Sequence, residues 1–485
     1  MPIEERVARH IYARMAFGGT PAEIDDLVNR SASTEAAVDY MIEYGQINNQ
    51  SLDDVLQRSF NFSLPLSDQR FSINQIRRWW VTRMVYSKRQ FEEKMTLFWH
   101  NHFATANTKV NSAAQMFIQN ELLRKNALAR FDDLAMGISK DPAMMVWLDT
   151  NQNTRAGNNE NYGRELMELF TMGIFDPVSE ERNYVEDDVK QVARTFTGWQ
   201  FFLPDRNNPL NYQFRINANL HDSGQKTIFA GTDAATTGNL GGEDVVTIIC
   251  NRVATPRFLA KKLLDFFVFP VDLNSKADRK LIKRLAKAYV KNNHSIKALV
   301  RAVFTSDEFF SDRAMNALVK QPIEFVVGPI RMLGASYNPG GPVDRADATL
   351  YQRSAQLTQN LLDPPDVSGW DLQLAWINTA VLLQRYNVAN TFATSRPAAA
   401  DAPGAFITLD QLKQYVRPTP EQTAKAFLST LKVDWDEATL ASLVRYLTTD
   451  DNGNPTAWTT TDANVDKKCR GLVHLIMSLP EFQLN

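Results

Sequence analysis

Residues 89–103 read Arg-Gln-Phe-Glu-Glu-Lys-Met-Thr-Leu-Phe-Trp-His-Asn-His-Phe. Phe91, Met95, Phe98 and Trp99 recur at the spacing that puts side chains on one face of an α-helix. The same spacing runs outward in both directions. Residues 3–18 form an amphipathic stretch ending at Gly18-Gly19. Thr20-Pro21-Ala22-Glu23 then supplies a cap, a proline for the first helical position and an acid for the first turn. Segments 72–86, 111–125, 126–138, 142–148, 159–172 and 186–196 continue the pattern.

Between 199 and 231 the period changes. Gln200-Phe201-Phe202, 212–216 and 226–229 are short and partly alternating, which predicts a small antiparallel β insertion. Helical spacing resumes at 242–251 and 256–268, and again at 276–291, 295–304, 317–333, 348–361 and 376–389. The expected fold is mainly α, a large irregular multi-helical domain with that insertion near 199–231. Residues 394–407, rich in Pro, Ala and Gly, read as a linker. The expected organisation is a helical core domain over 1–393, the linker, and a helical segment over 408–485 packing on the core.

The 485 residues are 44% hydrophobic and 22% charged, which rules out a disordered or collagenous chain. Fifty-three basic against fifty-five acidic side chains leave a net charge of −2, too little to steer the molecule onto nucleic acid. Two cysteines, Cys250 and Cys469, exclude a disulfide scaffold. No apolar run reaches the ~20 residues of a membrane span. The first residues lack the apolar core of a secretory signal. The chain reads as cytoplasmic by default, and as exported (periplasmic) if a signal has been removed from it.

Chemistry concentrates in five places. His100 and His102 are metal ligands if both reach one ion, but at i,i+2 on a helix they point about 200° apart. They share an ion only if the helix ends near Asn101. Otherwise one is a core histidine and the other sits at a helix C-terminus, or they act in acid/base chemistry. Along 159–170, Glu165 and Glu168 share a face, and Glu160, Arg164 and Glu168 form a second ladder. A salt-bridged solvated face and an acid/base or ligand site are both open there. In 184–199 the acids precede the bases as the helix dipole prefers, with Asp188 and Arg194 the residues to test. His221-Asp222 lies on a loop with Gly224 and Lys226, where Asp222 is a candidate orienting partner. Around 362–378 two prolines and Gly369 shape a turn beside Trp370. With Trp99, Trp147 and Trp199, it suggests a stacking platform for sugar rings, or a filled helical core.

These blocks, in this order, resemble the bacterial domain-of-unknown-function 1800 family along nearly the whole chain. The resemblance rests on 13–21, 95–103, 159–169, 184–199, His221-Asp222 with Lys226-Thr227, 364–370 and the closing Pro480-Glu481-Phe482-Gln483. It implies that His100, His102, Glu160, Arg164, Glu165, Asp188, Trp199, His221, Asp222 and Trp370 belong to one shared site. The family usually has His just after Glu-Leu, where this chain has Phe170. Many relatives carry export signals and sit beside partners of another uncharacterised exported family.

The leading expectation is a hydrolase acting on a glycan or other envelope polymer. Its catalytic set is Glu165, Arg164, His221, Asp222, Glu160 and Asp188, with Trp99, Trp199 and Trp370 binding substrate. One alternative is a metal-dependent hydrolase or oxidase in which a divalent metal is held by His100, His102, His221 and Glu165. Another is a non-catalytic helical scaffold that binds a partner protein.

Overall fold

The computed structural model describes residues 3–60, 62, 71–340, 350–396 and 403–485. At its centre lies the helix Gln90–His102, in which every residue except Glu92 is buried. A helix buried on all sides must pair each polar group it carries. Glu93 is held by Arg83 at 2.7 Å and Arg124 at 3.1 Å, and Lys94 meets Glu324 and the Ala16 carbonyl. Trp99 donates Nε1–H to the Ala127 carbonyl at 2.9 Å.

Helices Glu5–Met15, Thr34–Ile42, Ile73–Tyr86 and Ala113–Lys125 pack against this one, and the main apolar cluster extends from Ile3 to Phe482, with a second, smaller one at Val319, Trp370 and Trp376. Local rules set their ends. Thr20 Oγ1 accepts from the Glu23 N–H at 3.2 Å while Glu23 accepts from the Thr20 N–H at 2.8 Å, closing the box the sequence predicts. Residues 408–485 add Phe427, Leu472 and Phe482 to the same core. The chain end is tied back, with the Asn485 N–H on the Leu318 carbonyl at 2.7 Å. No helix among the described residues is long and apolar enough to cross a membrane.

Among the described residues the sheets are three antiparallel pairs. β1 (Trp199–Phe202) pairs with β2 (Gln213–Ile216), Trp199 opposite Ile216. β3 (Lys226–Ile228) pairs with β4 (Thr236–Gly238), so the insertion reaches 238 rather than 231. β4 carries no apolar alternation that would mark it in the sequence. β5 (Ser336–Asn338) pairs with β6 (Gly404–Phe406), which lies inside the expected linker. Residues 397–402 of that linker lie outside the described residues.

The glutamate segment departs from a simple helix. An α-helix spans Asn161–Glu165, and a π-helix, Leu166–Thr171, follows directly. Thr171 Oγ1 bonds the Leu166 carbonyl at 2.5 Å, and the Met172 N–H reaches back five residues to the Met167 carbonyl. Such widened turns re-aim side chains and recur at functional sites.

Candidate functional site

The helix Glu186–Thr195 organises the polar groups. Helix Asn161–Glu165 lies against it at close range because residue 163 is glycine. A Cβ there would come within 3.1 Å of the Ala193 nitrogen. Buried Asn153 fixes the neighbouring turns. Its amide donates to the Ala193 carbonyl at 2.8 Å, its Oδ1 accepts from the Asn159 N–H, and its carbonyl accepts from the Gly198 N–H.

Three clusters result. In the first, Arg164 forks onto Glu186 at 2.5 and 3.0 Å and reaches Glu160 at 3.3 Å. The hydrogen bonds with Glu186 raise the guanidinium's affinity for its proton and lower the Glu186 pKa. This is the salt-bridged ladder expected of the segment, at a half-exposed surface.

In the second, Glu165 and Glu168 flank the start of the π turn. Glu168 accepts from the Tyr184 hydroxyl at 2.8 Å; burial, and then that bond, push the phenol's pKa up. Glu165 accepts no hydrogen bond from any described residue. Partial burial, then the Glu168 charge, raise its carboxyl to about 7, with Arg164 opposing.

In the third, Arg194 bonds Asp222 at 2.7 and 3.3 Å, and Asp222 also accepts from the Gly224 N–H. The Arg194 bond leads the effects that hold Asp222 down at about 2. His221 is oriented by a backbone group and not by Asp222. Its Nδ1–H donates to the Thr197 carbonyl at 2.8 Å, which fixes the ring's orientation. Gly198, at φ +76, lets the 217–221 turn close over it.

Arg164 meets the start of helix Glu186–Thr195 and Asp222 meets its end. Eight residues separate the two contacts, roughly 12 Å of helix. His221 and Glu165 therefore flank one helix without touching. Asp188 serves that helix too: buried, it accepts from the Val185 N–H at 2.9 Å and the Phe229 N–H at 2.5 Å. Both its oxygens accept from backbone N–H groups, which gives Asp188 a structural task in holding Val185 and Phe229.

The two histidines of 98–103 do not meet. The helix continues through His102 and does not end at Asn101, so the side chains diverge as an i,i+2 pair must. His100 Nε2 accepts from the Leu362 N–H at 3.2 Å, and its ring packs against Trp80 and Trp370. His102 Nε2 instead faces the Phe170 carbonyl at 2.9 Å, to which it must donate. Burial pushes both imidazoles down to about 3, so both are neutral. Among the described residues no group of three or more His, Cys, Asp or Glu side chains is placed to hold a metal ion. The expected set of His100, His102, His221 and Glu165 does not converge.

Trp99, Trp199 and Trp370 are likewise interior, at 1%, 0% and 5% exposure, and no sugar ring can stack on them. The exposed apolar groups near the second cluster are others. Phe175 is 56% exposed under the Arg182 guanidinium, and Val185, next to Tyr184, is 52% exposed. Neither stands out in the sequence. Tyr184 lies in a family block but gains meaning only from its bond to Glu168.

No curated protein and no solved structure matches the chain. The family model described as "Protein of unknown function (DUF1800)" matches residues 10–484, and the chain belongs to that family.

Proposed function

We propose that the protein is a hydrolase whose reacting group is the carboxyl of Glu165. One observation carries this: a half-buried carboxyl lies beside a second carboxylate and without a hydrogen-bond donor, surroundings that push its pKa up to about 7. Such a group exists in both protonation states at working pH and serves as general base or general acid. As base it takes a proton from water as the oxygen attacks an electrophilic carbon; as acid it returns that proton to the leaving oxygen. Glu168, fixed by Tyr184, keeps negative charge next to Glu165 and so keeps its affinity for the proton high. Arg164, spent on Glu186, moderates that charge from one side.

The substrate class in this reading is an extended glycan or envelope polymer. Support comes from the partial solvent access of Glu165 and Glu168 and from the exposed apolar side chains of Val185, next to Tyr184, and Phe175, under Arg182. His221, about a helix length away, would contact a distant part of the same chain and not the reacting bond.

The test is turnover of purified polysaccharide and peptidoglycan fractions, followed as new reducing ends, by wild type and Glu165→Gln. Release by the wild type that falls at least a hundredfold in the variant, with an unchanged circular dichroism spectrum, supports the reading. Release that Glu165→Gln leaves intact contradicts it.

The scaffold reading is favoured by a different observation. His100, His102, Asp188 and the three tryptophans are all committed to holding the fold. It predicts that Glu165→Gln alters neither binding of a partner protein nor any turnover.

A further inference from the structure

Away from these clusters, a cavity of about 250 Å³ opens between the N-terminal helix and the turn after helix Pro420–Thr430. Arg6, Arg9 and His10 form one wall; Asn316, Lys432 and Trp435 form another. Its volume suits a ligand of a few carbons, just below the ~300 Å³ where pockets for larger ligands begin.

The polar groups are arranged around the Lys432 amine. Nζ donates to Asn316 Oδ1 at 3.1 Å, and the Asn316 amide is held in turn by Asp434 at 2.7 Å. Both Lys432 and Asn316 sit in the left-handed backbone region, at φ +54 and +52, which non-glycine residues occupy at a cost. The back wall is His10, fully buried. Its Nε2–H donates to the Phe309 carbonyl at 3.0 Å, and its Nδ1 has no partner. Behind Lys432 lies the buried Arg14 guanidinium, whose Nε and Nη1 are unpartnered.

Charge is out of balance here. Glu5 is taken by Arg9 at 2.6 Å. Arg14 faces the Glu324 carboxylate and Lys432 faces Asp434, whereas Arg6 has no ion pair among the described residues and is the cation left over. Burial, then the Arg14 charge, bring the Lys432 amine down to about 7, against ~10.4 for an ordinary lysine. A large neutral fraction at physiological pH makes this amine a nucleophile.

We propose that this cavity takes a small anionic aldehyde or ketone, whose carbonyl carbon forms a reversible imine with Lys432 and whose anionic group pairs with Arg6. The Nζ lone pair attacks the carbonyl carbon and a C=N bond replaces C=O. The two protons of the neutral amine leave with the carbonyl oxygen as water. No oxidant or reductant is needed for the imine itself. The unpartnered Nδ1 of His10 marks the back wall as able to accept one further proton donor, from the ligand or from water.

The test uses the full chain with glyoxylate, or with uncharged glycolaldehyde, under sodium cyanoborohydride. Peptide mass spectrometry follows labelling at each lysine. The expected result is labelling of Lys432 at least tenfold faster than exposed Lys283 and Lys287. Glyoxylate should be preferred over glycolaldehyde, and Arg6→Ala should remove the preference. Lys432 reacting no faster than the exposed lysines overturns the nucleophile. Equal reaction with both aldehydes overturns the anionic class. Because the wild type carries the test, failure of a Lys432 variant to fold does not obscure it.

Discussion

His102 and Phe170, 68 residues apart, are joined by a hydrogen bond of 2.9 Å from the imidazole Nε2 to the main-chain carbonyl. The bond ties the buried central helix to the π turn that aims Glu165 and Glu168. It defines the imidazole as a neutral donor that braces the carboxylate segment from behind.

Replacing His102 by Ala removes a buried ring and leaves the Phe170 carbonyl unpaired. The expected loss is about 3 kcal/mol, combining the cavity and the orphaned acceptor. Urea denaturation measures it. A chelator, in contrast, leaves the melting temperature unchanged, because the imidazoles at 100 and 102 are committed to the fold.

The same two histidines set an acid limit. Each is held neutral in the fold near pKa 3, whereas the unfolded chain protonates near 6.5. Their contribution is therefore fully present above pH ~6.5 and is lost as pH falls toward 3. Between those limits the slope is about 1.4 kcal/mol per pH unit for each histidine. Denaturation curves at pH 4.5 to 7 for wild type and His100→Asn should differ in slope by about that amount.

Glu165 acts in the opposite sense. Its pKa is raised on folding, so the charged form is the one the fold disfavours. The penalty is complete above pH ~7 and disappears as pH falls toward its unfolded value near 4.3. Glu165→Gln should thus stabilise the protein at pH 8 by about 1 kcal/mol, a figure discounted for partial exposure. The gain should vanish near pH 4.5. Thermal melts across that range check it.

Asp222 positions the His221 loop through Arg194 and the Gly224 N–H. Asp222→Asn is expected to speed amide hydrogen exchange over 217–227 by about tenfold, corresponding to about 1.4 kcal/mol of local opening. The helix Gln90–His102 should keep its protection.

Much of this was readable from local rules. The Thr20–Glu23 box and the helical spacing of Phe91, Met95, Phe98 and Trp99 each lie within one turn or one face, and both appear where the sequence puts them. Contacts between distant segments leave no such trace. β5 and β6 are three residues each, and their partners lie far along the chain. Where the helix ends was open in the sequence, and its continuation through His102 separates that side chain from His100. The orienting partner of His221 is the Thr197 carbonyl, and main-chain acceptors carry no sequence signature. Spacing placed Glu165 beside Glu168, but only packing left Glu165 without a donor. The sequence left the tryptophans open between a stacking platform and a filled core; Trp99, Trp199 and Trp370 lie inside.

The most direct measurement is the titration of Glu165 itself. Carboxyl 13C chemical shifts are followed from pH 4 to 9 in protein labelled at glutamate, with Glu165→Gln assigning the resonance. The expected midpoint lies near 7 and falls when Glu168→Gln removes the neighbouring charge. A midpoint near 4.3, the value of an ordinary solvated glutamate, would contradict it.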